Sequence, residues 1–109
     1  MPPRRGEVWL FDLGMTAKTR PVLIVSVEYG DIDRAIVTVV PHTTETLQSS
    51  LEIPIKASFL RPGAFLVQGV STYPKAWAIR KLGALQPTQM EAIGNALAAW
   101  LGIGEKPKT

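Results

Sequence analysis

Arg20-Pro21 stands at the mouth of the apolar run Val22-Leu23-Ile24-Val25. A guanidinium in that position suits an anion site, because its planar fork of donors matches phosphate geometry and keeps its charge at any working pH. A second polar strand end lies downstream, where Ile36-Val37-Thr38-Val39-Val40 leads into Pro41-His42-Thr43-Thr44 and so places hydroxyls and the only histidine at a strand exit. The two ends are expected to share one polar site for a phosphate-bearing ligand. Each residue also has a structural alternative. Arg20 would pair with Asp12 or Glu7 across a hairpin, Thr43 would bond its own backbone, and His42 would cap its loop or hydrogen-bond locally.

Composition narrows the chemistry. The 109 residues make one domain of ordinary size, with no cysteine and a single histidine, which removes disulfides and thiolate chemistry and argues against a zinc site. No cofactor is expected. Net charge is +3, but its distribution says more: no acidic residue lies between Glu52 and Glu91, while Lys56, Arg61, Lys75, Arg80 and Lys81 all do. Such a span gives the surface a field that attracts polyanions, or else a solvated basic face. No apolar stretch reaches the about 20 residues that span a bilayer. Met1-Pro2-Pro3-Arg4-Arg5 leads into a strand pattern instead of a signal-peptide core, so a soluble cytoplasmic protein is expected.

The elements that must position these residues are mostly strands. Residues 7–13 alternate so that Trp9, Phe11 and Leu13 share a face, and Gly14 turns the chain through a short segment into Val22 to Val27, a run apolar enough to be buried on both faces. Gly30-Asp31-Ile32-Asp33 is a turn before a strand over 35–40, and 42–50 reads as a loop. Leu51, Ile53 and Ile55 alternate around Pro54, which assigns that strand to a sheet edge. Arg61-Pro62-Gly63 turns into a strand over 64–67, and a last strand covers 77–84.

Only the end of the chain reads as a helix. Thr88 and Glu91 form a capping box after Pro87, and Met90, Ile93, Leu97, Trp100 and Leu101 recur at helical spacing on a stripe that must face a core. Gly102 and Gly104 stop it, leaving residues 1–104 as one domain and 105–109 as a frayed polar tail. Five or six short strands and one helix predict a mainly β fold, a small curved antiparallel sheet or barrel closed by a C-terminal α-helix.

Four segments then carry a resemblance: Arg5-Gly6-Glu7-Val8-Trp9-Leu10; Thr19-Arg20-Pro21 with the strand after it; Val40-Pro41-His42-Thr43-Thr44; and Lys81-Leu82-Gly83-Ala84-Leu85. In this order, and over nearly the whole chain, the sequence resembles the MazF/PemK toxin family. The resemblance implies an SH3-like barrel, the fold also of the gyrase-poison toxins, in a homodimer that works as a metal-independent endoribonuclease on single-stranded RNA and is blocked by a cognate acidic antitoxin. It also implies that Arg20 and Thr43 are catalytic, Arg20 stabilising charge on the phosphate as the ribose 2'-OH attacks and Thr43 donating a hydrogen bond. Thr16, Lys18, Thr19, Thr44, Gln68, Ser71 and Lys75 are the candidate RNA contacts.

The chain departs from the family pattern in two places. Only Gly14 to Thr19 connects the first two strands, where many members carry a long loop, and Gln68-Gly69-Val70-Ser71-Thr72-Tyr73 stands where many carry an arginine and an aspartate, which in some of them have acid and base roles. General acid and base are thereby unassigned, and His42, next to Thr43 and titrating near neutrality, is the substitute the sequence offers. Two other readings stand beside the nuclease: an RNA-binding module without turnover, and a gyrase-poison-type toxin acting through protein contacts.

Overall fold

The structure, a computed structural model, describes residues 2–14 and 18–104. The frayed tail and Thr16 of the sequence reading lie outside the described residues. Strand β1 (Glu7–Asp12) pairs antiparallel with β2 (Thr19–Ile24), the expected hairpin, with Val8 opposite Leu23 and Asp12 opposite Thr19. The apolar run after Arg20 is unbroken because both faces of β2 are buried. Val22 and Ile24 join a cluster with Phe11, Val37 and Val39, against which Trp9 and Leu13 pack. Leu23 and Val25 join the other cluster, with Val8, Val40, Phe65 and Ile93.

Strand β3 (Ile36–Thr43) is longer than the expected 35–40. It changes partners instead of ending. Its first half pairs with β6 (Ser71–Pro74) and its last two residues with β5 (Ala64–Leu66), and Pro41, which has no N–H to give, falls in the gap between the two ladders. Strand β4 (Glu52–Pro54) lies at the sheet edge, as its proline requires, and β7 (Ala78–Ala84) pairs with β1. The order is β4-β5-β3-β2-β1-β7, with β6 also on β3. Among the described residues no ladder joins β7 to β4 or β6, so the sheet curls without closing and is a barrel only loosely. Strand β6, with short 3₁₀ turns at Val67–Gly69 and Lys75–Trp77, is absent from the sequence reading. Four residues ending in proline carry little periodicity, and pairing with β3 makes them a strand.

Helix α1 (Pro87–Leu101) covers the Leu23 side of the sheet through Ile93 and Ala96. Its N-terminus differs from the expected Thr88/Glu91 box. The backbone N–H of Gln86 donates to Gln89 Oε1 at 2.8 Å, the same spacing two residues earlier, and Pro87 takes the first helical position, where its fixed φ fits. Gly102, at φ 75°, ends the helix as expected. The apolar stripe stays on the core through Ala96 and Leu97 and leaves it in the last turn, where Trp100 and Leu101 are 44% and 53% exposed. No helix among the described residues is long and apolar enough to cross a membrane.

The Arg5-Gly6-Glu7 opening is a clasp that locks β1 to its neighbours. The Arg5 guanidinium donates to Val25 O, while Gly6, at φ 93°, donates its N–H to Ile24 O and accepts from Leu85 N–H, each at 2.9 Å. Glu7 accepts from Trp9 Nε1 at 3.0 Å and from the Arg4 N–H at 2.9 Å, and pairs with Lys81 Nζ at 3.0 Å. Burial pushes the Glu7 carboxyl up, but the Trp9, Lys81 and Arg4 contacts together outweigh it and hold the group below the ordinary glutamate value.

Candidate active site

The β2–β3 register pairs Ile24 with Val39, Leu23 with Val40 and Val22 with Pro41. Continued two residues, it sets Arg20 opposite Thr43. Strand alternation puts both on the face of Val22 and Val39. Arg20 is also the β1 partner of Phe11, and Thr43 the β5 partner of Ala64, itself opposite Pro54 of β4. Extending the register thus aligns Phe11, Arg20, Thr43, Ala64 and Pro54 in one transverse row across the end of the sheet, its laddered neighbours about 4.8 Å apart.

Arg20 is exposed and makes no hydrogen bond or ion pair among the described residues. Neither expected hairpin partner engages it. Glu7 is committed to Trp9 and Lys81, and Asp12 Oδ1 accepts from the Gly14 N–H at 3.0 Å. The guanidinium is left as an open anion-binding fork. Lys18 and Thr19, both exposed, precede it and add a charge and a hydroxyl.

The Thr43 hydroxyl lies in a turn of its own, accepting from the Glu45 N–H and donating to Glu45 O, both at 3.1 Å. This is the local bonding that the sequence alone allowed, and it fixes the oxygen while leaving it one long donor bond to exchange for a phosphate. The Thr43 backbone is held by Gly63. A Cβ there would stand 2.1 Å from Thr43 O and 2.9 Å from His42 Cε1, so only glycine permits the approach.

His42 does not join Arg20 and Thr43. As the next residue along β3 its side chain points to the opposite face, where it is 5% exposed and edge-on to Phe65, with ring centroids 5.1 Å apart. Its Nε2 is buried without a hydrogen-bond partner, and burial pushes its pKa below the ordinary histidine value. A neutral ring sealed in the core cannot reach a proton on the Arg20 side, and the acid–base role offered by the sequence is withdrawn.

The remaining candidates divide. Thr44 is exposed and adjoins Thr43 on the wall of a cleft. Gln68 is exposed on its 3₁₀ turn, and Ser71 donates its hydroxyl to Gly69 O at 2.9 Å, opposite Val39 and roughly 13 Å along β3 from Thr43. Lys75 is not brought to the site. Its N–H donates to Ala35 O beyond the far end of β3, and its ammonium stands over the Tyr29 ring, 5.5 Å from the centroid.

Sequence reasoning left three residues out of the site. Glu52 is 8% exposed although alternation with Leu51 and Ile53 turns it outward. Its Oε1 accepts from Leu47 N–H at 2.7 Å and Ser49 N–H at 3.3 Å, so the 44–50 loop wraps over the carboxylate. Arg61, exposed, heads the turn whose Gly63 rests on Thr43, and the basic span of the sequence had already included it. Trp77, half exposed and stacked on Tyr73 at 5.3 Å, precedes Ala78, which lies two strands from Arg20 through Phe11.

Comparison with known proteins agrees with this architecture. A family model described as PemK-like, MazF-like toxin of type II toxin–antitoxin system matches residues 4–101. A probable endoribonuclease MazF of Mycolicibacterium smegmatis is 31% identical, over 92% of this chain and 97% of its own. Among solved structures, a mycobacterial endoribonuclease in complex with its cognate antitoxin superposes with TM-score 0.82 at 30% identity, over 94% of this chain and 98% of that one. A Deinococcus radiodurans MazF, at 16% identity and TM-score 0.80 over 94% and 98% of the two chains, shares the fold.

Proposed function

The chain belongs to the PemK-like, MazF-like toxins of type II toxin–antitoxin systems, and from that premise we propose that it cleaves single-stranded RNA by attack of a ribose 2'-OH on the adjacent phosphate, leaving a cyclic phosphate and a 5'-OH. One observation carries the reading: Arg20 stands unpaired among the described residues, at the end of β2 where the β2–β3 register, extended two residues beyond Val22–Pro41, meets Thr43 on the same face. Negative charge grows on the phosphorus oxygens as the 2'-OH attacks. A guanidinium already in place stabilises that charge without reorganising. Thr43 gives its hydroxyl to the same phosphate, and Lys18, Thr19 and Arg61 hold the flanking backbone. DNA, without the 2'-OH, is spared.

The reaction as proposed needs no metal, since the stabilising charge is supplied by Arg20. A long single-stranded RNA incubated with the protein in EDTA should be cut at defined sites, and Arg20→Ala should abolish the cuts. RNA left intact by the wild-type protein overturns the reading. Salt-sensitive binding without cuts would instead establish an RNA-binding module, which the inward turn of His42 favours, because no proton carrier is then assigned.

The protein is further proposed to work in the cytoplasm as a homodimer restrained by an acidic cognate antitoxin. The antitoxin complex formed by the similar mycobacterial endoribonuclease supports such a partner, and an acidic chain would compete with RNA for Arg20. The exposed Trp77 and Ile79, and Trp100 and Leu101 at the helix end, offer apolar area for a second copy. Light scattering on the purified chain tests that assembly.

A further inference from the structure

Beside Thr43 lies a cleft of about 580 Å³ between the 44–50 loop and the Pro62-Gly63 turn. It continues the transverse row, since Ala64 and Pro54, the next residues after Thr43, line it. Thr44, Thr46, Ser49, Pro62 and Glu52 line it, and the Ser49 hydroxyl accepts from the Leu51 N–H at 2.9 Å. Glu52 Oε1 is used by the Leu47 and Ser49 N–H groups, while Oε2 has no hydrogen-bond partner among the described residues. Between those two N–H groups Gln48 is held at φ 57°, a left-handed conformation that a residue other than glycine keeps only when its surroundings enforce it.

A carboxylate in this position sets the chemistry of the occupant. It only accepts hydrogen bonds and repels phosphate, so the cleft is not a second phosphate site. We infer that it receives the nucleobase next to the phosphate held by Arg20 and Thr43, and that Glu52 Oε2 selects a base with an exocyclic amino group. Cytosine, adenine and guanine present such a donor, and a glutamate accepting from cytosine N4 is an established pairing. Uracil has only N3–H, flanked by two carbonyl oxygens that a carboxylate repels. A lining of proline, threonine and serine residues suits a planar heterocycle edged with donors and acceptors. Glu52 thus orders the loop with one oxygen and reads the base with the other.

The inference rests on the RNA-cleaving reading, and its test separates the two. Single-stranded RNA oligonucleotides that differ only in the bases flanking the cut are cleaved by the wild-type protein, Glu52→Gln and Thr46→Val, with thermal melting as the check on folding. Glu52→Gln keeps an oxygen for the two loop N–H groups and turns the open oxygen into an N–H donor. At one flanking position, discrimination between amino-bearing bases and uracil should fall by about 10- to 100-fold and shift toward uracil, with other positions unchanged. Thr46→Val, on the loop surface, should narrow the preference at the same position, and it carries the test if Glu52→Gln does not fold. Folded variants with the wild-type preference at every position overturn the inference and leave the nuclease standing, as does a wild-type protein that favours uracil on both sides of the cut. A wild-type protein that cuts nothing overturns both.

Discussion

The two ends of strand β1 and its neighbours use the same kinds of side chain to opposite effect. At one end Arg5, Glu7, Trp9 and Lys81 are tied into the fold: one guanidinium nitrogen donates to Val25 O, and the carboxylate is shared among an indole, an ammonium and a backbone N–H. At the other, Arg20 stands exposed with nothing bound to it among the described residues, while Asp12 of the same hairpin turns to the Gly14 N–H. An arginine bonded to the backbone of a neighbouring strand adds stability to the fold. An unsatisfied one keeps its donors for an incoming anion and contributes little to the fold. The difference makes a prediction for each end.

The largest effect is expected at the open end. Arg20→Ala should slow RNA cleavage by about 100- to 1,000-fold, the usual loss of one preorganised donor to a developing oxyanion. Its stability should change by no more than about 0.5 kcal/mol, because no structural bond is broken. Arg20→Lys, which keeps the charge but loses the fork, should fall between the two. Rates on single-stranded RNA and melting curves from the same preparations check both halves, and a large drop in melting temperature would place Arg20 with the structural arginines.

Gly63 tests how the open end is held. Gly63→Ala drives a methyl into Thr43 O and His42 Cε1, at a cost of about 1–3 kcal/mol if the fold survives by shifting the strand. Because the displaced group is the Thr43 backbone, cleavage should fall more than the change in stability explains. Gly83→Ala is the control, since its methyl meets the Phe59 ring at 2.4 Å, on the helix-covered side and away from Thr43. It should lower the melting temperature and spare the rate of the remaining folded protein.

These contrasts mark where the sequence could be read. The run after Arg20 announced a two-sided buried strand because both periodicities are apolar, and Pro54 announced an edge because a proline cannot join two ladders. The Arg20–Thr43 juxtaposition was reachable from two strand ends and a family pattern. The direction of His42 was not, because it depends on β3 running past Pro41 to take β5 as a new partner, and a strand that ends at Val40 leaves His42 free in a loop. Glu52 failed for a related reason: its burial comes from a loop folding over it, and alternation along the strand describes only the sheet. The first error arises where pairing with a distant segment overrides a local pattern, the second where a neighbouring loop folds back over the strand.

The bonded end predicts a smaller, pH-dependent effect. Glu7→Gln removes a charge-assisted acceptor from Trp9, Arg4 and Lys81 and should cost about 1 kcal/mol at neutral pH. Lys81 is half exposed and adds little of that. Because the folded protein holds the Glu7 carboxyl below its ordinary value, the unfolded chain takes up the proton first as pH falls. The contribution is therefore whole above the ordinary glutamate range and disappears as pH drops through the depressed value. Denaturant midpoints of the two proteins should converge in acid, with RNA cleavage near neutrality unaffected at saturating protein stability.

The smallest effect separates the two faces of β3. His42 is buried neutral, with burial pushing its pKa down, so between that lowered value and the ordinary histidine value near 6.5 the unfolded chain binds the proton and the folded one does not. Stability should accordingly weaken as pH falls below the ordinary histidine range. His42→Leu, close in volume and without the orphaned Nε2, should flatten that slope and cost little at pH 8. The pH profile of cleavage should keep its shape in the variant, because the ring faces the core and not Arg20. A profile that loses its limb near neutrality in His42→Leu, with folding intact, would mean that the ring swings to the other face of β3 during turnover and would return the proton-carrier role to it.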